Sequence, residues 1–360
     1  MGPGLRILLV SYSSLKTHGG WFYGTAQKLQ NGFVRLGAGV EFFSDRDIAR
    51  SASPIRSRIL GKRACNKIFL DYVANYQPHL IVLCHADLID NETLRTTRAR
   101  HPRTRIVEVR VDALYNPPTL PHMRSRLPFI DRSFVTTAGP ALNLVASAKA
   151  PACFIPNLVD SGIETGSAHL VETLPYDAIY SRRPMIRMPE SDYRARVVVA
   201  VEANEALKVF SIGIHGGSQI FGQAYFDLVG QAAIGLNLSA MAKTGIEGQE
   251  PEALMRLYSS DRIAHYGGNG LLVMNHTVFK LGEIMKEGKE FVAFDRPQEA
   301  REKVSWLASH PKERQEIAAA GHEAFHKRFS SQAVAAYILA KAFSTGPSGS
   351  DWPQDDYFGF

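Results

Sequence analysis

Short apolar runs recur through the first part of the chain at spacings that leave room for a helix between them. Residues 5–12, 40–43, 80–83, 105–111 and 133–137 read as strands. Residues 23–36, 66–76 and 91–100 instead place their apolar side chains at helical intervals, and residues 13–20 form a polar, glycine-containing loop. Short apolar strands alternating with amphipathic helices predict a parallel, doubly wound α/β sheet. Ligands of such sheets sit beyond the carboxyl ends of the strands, which lines up residues 13–20, 84–87 and 112–115 along one crevice.

The pattern thins at residues 161–173, whose small and polar side chains suit a linker, and then resumes. Strands are expected at 177–181, 207–212, 235–238, 271–274 and 291–294. Helices are expected at 194–204, 221–232, from near Ser259, and at 281–287 and 297–309. Residues 311–328 and 332–343 read as closing helices, and the glycine- and proline-containing tail 344–360 as mobile. The expected organisation is therefore two Rossmann-like domains, 1–165 and 173–330, facing each other across a cleft, followed by a closing helix at 331–343 and the tail.

Composition agrees with a globular protein: 360 residues, 45% hydrophobic and 21% charged. No apolar run approaches the roughly 20 residues of a membrane-spanning helix, and the opening MGPGLRILLVSYSS lacks the pattern of a secretory signal. A cytoplasmic location is expected. Cys65, Cys84 and Cys153 have neither zinc-site nor disulfide spacing. The net charge of +6 is uneven, because residues 1–172 hold 21 Lys and Arg against 13 Asp and Glu. Two basic clusters, Arg56 to Lys67 and Arg95 to Arg105, suit anionic partners. Without interleaved aromatic residues they favour solvated faces or an anionic membrane surface over nucleic acid.

Few strings carry recognisable chemistry. His322-Glu323-Ala324-Phe325-His326 matches the zinc-peptidase pattern, but no His or Glu follows it to complete a ligand set, so no metal is expected. Glycine-rich loops at 18–20, 215–217 and 267–270 fit neither the dinucleotide nor the P-loop pattern. Their places beside strands suit a diphosphate-bearing ligand. His85 and Asp112 fall at strand ends, where either can orient or deprotonate a hydroxyl or simply cap a loop.

The second half carries a resemblance. YDAIYSRRP (176–184), IFGQAYFDLVGQAAIGLNLS (220–239), SSDRIAHYGGNGLLV (259–273) and the run 281–325 resemble the C-terminal domain of group-1-like glycosyltransferases of the spore-maturation (CgeB-type) kind, and FIPNLVD (154–160) is similar to the end of their front domain. The resemblance implies a two-domain GT-B fold. It also implies a metal-independent transfer from a nucleoside-diphosphate sugar to a glycan, lipid-linked saccharide or protein hydroxyl, with no cofactor required. Matched to the family pattern, Arg183 or its neighbours Arg182 and Arg187 lie near the donor phosphates, Arg262 opens the helix after the nucleotide pocket, and Glu283 receives the ribose hydroxyls. Asn237 and Ser239 stand at the pocket wall. Gly19 and Gly20 match the loop that approaches the phosphates, and Asp112 the carboxylate beside the acceptor. Many relatives carry a glutamate shortly after Arg262. Here the chain reads Ile263-Ala264-His265-Tyr266, so either His265 substitutes for it or the carboxylate is missing. The alternative is a non-catalytic binder of sugar nucleotides or glycans with the same fold.

Overall fold

The computed structural model describes every residue except 1–3, 14, 183–187, 217 and 346–348. The chain forms two compact units, one of Met1–Ile155 with Ser331–Phe360 and the other of Pro156–Ser330.

The first unit runs β1 (Arg6–Ser11), α1 (Thr25–Arg35), β2 (Gly39–Ser44), α2 (Asp45–Ser51), α3 (Lys62–Tyr76), β3 (Leu80–Cys84), α4 (Asn91–Arg100), β4 (Arg105–Arg110), α5 (Thr119–Arg126), β5 (Arg132–Val135) and β6 (Ala152–Phe154). Its six strands are all parallel, in the order β2-β1-β3-β4-β5-β6. The order reverses on either side of β1 and β3, the arrangement that opens a ligand crevice at the carboxyl ends of the strands. β3 reads LIVLC and is buried along its whole length, as a central parallel strand covered on both faces must be. Leu8, Val10, Phe43, Phe69, Ile81, Leu83 and Ile106 form part of the core on one side of the sheet.

The second unit contains β7 (Tyr176–Ser181), α6 (Tyr193–Glu202), β8 (Val209–Ile212), α7 (Gln223–Val229), β9 (Ala232–Asn237), α8 (Pro251–Met255), α9 (Arg262–Gly268), β10 (Leu272–His276), β11 (Val292–Phe294), α10 (Pro297–Ser309) and α11 (Pro311–Arg328). Its five parallel strands lie in the order β11-β10-β9-β7-β8 over a core that includes Tyr180, Val197, Ile234, Leu236, Leu272, Met274, Phe294 and Val304. Gly235 is required at its place in β9, because a Cβ there would lie 2.4 Å from the Tyr266 ring. The chain then returns to the first unit as α12 (Ser331–Phe343), which packs on α1 at Gly32, where a Cβ would come within 2.2 Å of the Ser331 carbonyl oxygen.

Several expectations are corrected. The division falls at residue 155 rather than 165, and residues 161–173 do not form a linker: Glu164 is 1% exposed, Gly166 N–H donates to Asn269 Oδ1, and Ala168 N–H donates to the Asn269 carbonyl. The α12 helix is an integral layer of the first unit rather than a closing appendage. The tail is docked. Tyr357 bridges Ala152 of the edge strand β6, Trp352 is buried against Tyr337, and Asp356 accepts from Arg132, Lys341 and Cys153 Sγ. Only a single 3-10 turn, Leu281–Glu283, forms where a helix over 281–287 is expected. Among the described residues no helix is long and apolar enough to cross a membrane.

Candidate functional site

In the second unit the polar residues converge where β9 and β10 end. Asn237 is the last residue of β9 and lies in register with Asn275 of β10, and Asn237 Nδ2 donates both to Asn275 Oδ1 (2.7 Å) and to Ser259 Oγ (2.9 Å). Ser239 follows and accepts the Ser260 N–H at 3.2 Å. These bonds tie the segment before α9 to the end of the sheet. Asn237 Oδ1 and Ser260 Oγ are buried with no hydrogen-bond partner among the described residues. Buried polar atoms left in this condition are costly, so they mark a place for a polar ligand or water.

Arg262 opens α9. Its guanidinium lies over the Tyr180 ring, 5.1 Å from the centroid, and donates to the Leu238 carbonyl oxygen at 2.5 Å, while its Nε has no partner among the described residues. Below it a hydroxyl cluster closes the layer: Ser181 Oγ lies 3.2 Å from Tyr225 OH and 3.1 Å from Tyr266 OH, and burial pushes both phenols above their ordinary range. His265 is 3% exposed, stacked on Phe226 at 5.5 Å and edge-on to Tyr225. Arg182, just after β7, lays its aliphatic stem over Gly213, where a Cβ would come within 2.5 Å. Arg183 and Arg187 lie outside the described residues.

Past β10, the residues His276, Lys280, Glu283, Glu287 and Phe291 contribute to the lining of a cavity of about 210 Å³. Glu283 accepts from Arg256 Nε at 2.9 Å and remains about one-third exposed, so its carboxylate is oriented yet accessible. The structure therefore brings Asn237, Ser239 and Arg262 into one bonded cluster, with Glu283 on the cavity that follows β10.

In the first unit His85 and Asp112 belong to a larger charged network. His85, at a positive φ of 53°, directly follows β3, and its Nδ1 lies 3.4 Å from Asp112 and 3.0 Å from Arg110 Nη1. Arg110 is 6% exposed and also faces Asp87 (3.4 Å), Asp112 (3.7 Å) and Glu108 (3.6 Å). Arg46 closes on Asp87 at 2.5 Å. Beneath lies a fully buried pair, Arg126 Nη1 to Glu108 Oε1 at 3.2 Å, with Arg126 Nη2 also bonded to the Ala86 and Ile89 carbonyl oxygens. Burial lowers the pKa of His85 despite Asp112, so the imidazole stays neutral at physiological pH. Burial and the neighbouring arginines press His122 down to about 4. Burial raises the Glu108 carboxyl in opposition to Arg126 and Arg110. A half-exposed carboxylate, Asp112, is thus held beside a neutral imidazole over a rigid ionic floor.

Arg110, Glu108, Arg126 and Arg46 are not among the expected site residues, whereas Asp87 ends the stretch 84–87 expected along the crevice. Glu108 and Arg110 carried a signal: beyond the exposed Arg105 that opens the strand RIVEVR, two charges at i and i+2 share one face among apolar residues. Arg126, distant in sequence, carried none. Gly19 and Gly20 lie in the loop after β1, where Gly19 has φ +85° and open space around it. On α11, His326 Nε2 is 2.8 Å from the Gly268 carbonyl oxygen, and His322 lies between the His169 and His326 rings at 4.5 and 4.4 Å. No group of metal-ligand residues is found among the described residues.

Residues 183–340 match the family model described as glycosyl transferase-like. No curated protein sequence matches the chain. Among solved structures the chain is similar to HepE from Anabaena in complex with UDP (12% identity, TM-score 0.56, covering 95% of this chain and 100% of that one). It is also similar to sucrose-phosphate synthase from Thermosynechococcus elongatus (13%, TM-score 0.58, 95% and 100%) and to AviGT4, a glycosyltransferase involved in avilamycin A biosynthesis (13%, TM-score 0.54, 94% and 97%). The fold is the GT-B architecture of two parallel-sheet α/β units.

Proposed function

We propose that the protein is a nucleotide-sugar-dependent glycosyltransferase, of the spore-maturation type, acting in the cytoplasm on a cell-surface glycan, lipid-linked saccharide or protein acceptor. The observation that carries this reading is the polar cluster at the ends of β9 and β10, with two unsatisfied buried oxygens, inside the stretch matched by the glycosyl transferase-like model. In this reading Asn237, Ser239 and Ser260 hold the nucleotide and Glu283 accepts the ribose hydroxyls. Arg262 and Arg182, with Arg183, stabilise the leaving diphosphate, so that no metal is needed. Gly19 and Gly20, in the loop after β1, are the glycines that the family pattern assigns to the phosphates.

The acceptor is assigned to the first unit. Its hydroxyl oxygen forms the new bond to the anomeric carbon as the bond from that carbon to the diphosphate oxygen breaks. The hydroxyl proton passes to Asp112, which His85 and Arg110 hold in place. UDP, the nucleotide in the HepE complex, is the first ligand to test.

One observation favours the second reading, a non-catalytic binder. At the turn of α9 where many relatives carry a glutamate, Ala264 is fully buried and His265 is packed among aromatic rings. Thermal shift with a panel of nucleoside diphosphates and their sugar conjugates, with magnesium or with EDTA, tests the donor site. A ligand at 100 times its Kd adds about 2.7 kcal/mol of stability. Stabilisation by one nucleotide family regardless of magnesium, together with donor hydrolysis or transfer, supports the enzyme. Stabilisation without any turnover supports the binder, and no stabilisation by any nucleotide refutes the donor site.

A further inference from the structure

The two basic clusters of the first unit differ in the structure. In the cluster at residues 95–105, Arg95 is paired with Glu92, and Arg98 and Arg105 with Asp131. In the other, Lys62 meets Asp90, while Arg56, Arg58, Arg63 and Lys67 make no ion pair among the described residues. No aspartate or glutamate occurs between residues 51 and 70.

The same segment turns its apolar side chains outward. Ile55, Ile59 and Leu60 are 74%, 76% and 68% exposed, within a loop whose two inner serines, Ser53 and Ser57, bond its own backbone. Ser53 Oγ accepts the Ser57 N–H, Ser57 Oγ accepts the Leu60 N–H, and the Arg56 and Gly61 N–H groups donate to the Ser53 and Ser57 carbonyl oxygens. Gly61 seats the loop on α2, where a Cβ would fall 1.7 Å from the Ala49 carbonyl oxygen. The loop is therefore ordered by its own hydrogen bonds with three branched aliphatic side chains in water. No packing among the described residues of this unit covers them.

We infer that residues 54–63 form a membrane-docking loop: Ile55, Ile59 and Leu60 enter the interfacial region of a bilayer while Arg56, Arg58 and Arg63 meet anionic headgroups. Charge selects this occupant. A purely apolar protein partner explains the aliphatic residues but not the surrounding cations, and a soluble anion explains the cations but not three exposed aliphatic side chains. An anionic bilayer satisfies both, since buried aliphatic area and basic charge add in surface binding. The inference is independent of the donor assignment, because it rests on the first unit alone.

The test is co-sedimentation of the full chain with vesicles of phosphatidylglycerol and phosphatidylcholine, against phosphatidylcholine alone, over a salt series. Binding is expected on the anionic vesicles only and to weaken as salt rises. Arg56→Ser with Arg58→Ser should lower the partition coefficient about 25-fold, at about fivefold for each charge near the surface. Ile59→Glu with Leu60→Glu should lower it by at least about tenfold, the least expected for withdrawing an aliphatic side chain from the interface. Arg95→Ser with Arg100→Ser should change it by far less. All these positions are exposed, so an unchanged Tm confirms the fold in each variant. Equal binding to both vesicle types, or to wild type and both loop variants, overturns the inference. So does a wild type that ignores vesicles and elutes as a dimer that Ile59→Glu with Leu60→Glu converts to a monomer, which would assign the face to a second copy.

Discussion

The pair Glu108–Arg126 offers the sharpest test of how the first unit holds its candidate acceptor site. Both side chains are fully buried, and Arg126 spends its guanidinium on Glu108 Oε1 and on the carbonyl oxygens of Ala86 and Ile89. Replacing Arg126 with methionine keeps the volume of the stem but leaves Glu108 facing only Arg110 at 3.6 Å and His122 at 3.7 Å, with two carbonyl groups also losing their donor. Removing one partner of a buried ion pair costs about 3–5 kcal/mol. In a unit of this size that is a fall in Tm of about 6–20 °C.

The sign with pH follows from the direction of the shift. The Glu108 carboxyl is raised in the folded state by burial, and losing Arg126 raises it further. The cost of its buried charge is full above the folded pKa and disappears as pH falls toward the unfolded value. Arg126→Met should therefore be most damaging at neutral pH and least damaging in mild acid. Denaturant unfolding followed by tryptophan fluorescence reads this unit through buried Trp352. The double variant Glu108→Gln with Arg126→Met carries no unpaired charge and should recover most of the loss. A single variant that loses under about 1 kcal/mol, or a double variant no more stable than the single, would refute the account of a mutually dependent pair.

Asp112→Asn should lower transfer about 100-fold or more while leaving nucleotide affinity unchanged, since it removes the proposed proton acceptor and none of the groups assigned to the nucleotide; steady-state kinetics beside calorimetry separates the two. Glu283→Gln should weaken nucleoside-diphosphate binding about tenfold by removing a charged acceptor, read by isothermal titration. Burial raises Asp45 from 3.8 to about 6 against its bonds from Leu88 and Arg46, so stability falls by about 3 kcal/mol as pH rises through that interval, at about 1.4 kcal/mol per pKa unit. Asp45→Asn, retaining one acceptor oxygen, should flatten that slope in melts between pH 4 and 6.

What the sequence makes legible follows the range of the interaction. β3 reads as a central strand because five consecutive apolar residues need cover on both faces, and that information is local. Residues 45–51 escape notice as a helix because DRDIARS is dominated by charge, and three of its residues are buried only through contacts elsewhere. The tail misleads for the same reason. Its glycines and prolines indicate mobility, while Asp356 is fixed by Arg132, 224 residues away, and Trp352 by Tyr337. The four aromatic residues of that tail were the contrary signal.

The candidate donor cluster shows where the boundary lies. Asn237 and Ser239 enter through the family pattern, which sets them at the pocket wall, and the buried strand AAIGLN ends on the first of them. Asn275 likewise lies at the polar end of a buried strand, but nothing in its own segment says that it is the partner that holds Asn237. Its role depends on the register that sets residue 237 beside residue 275 across β9 and β10, and register is decided by the packing of Ile234, Leu236, Leu272 and Met274. The same argument applies to Arg126 beneath Glu108. Chemistry-bearing residues at strand ends are visible one at a time. The neighbours that orient them become visible only when the sheet has aligned its strands, so the positioning residues of this fold, rather than those that would touch a ligand, are what the structure adds.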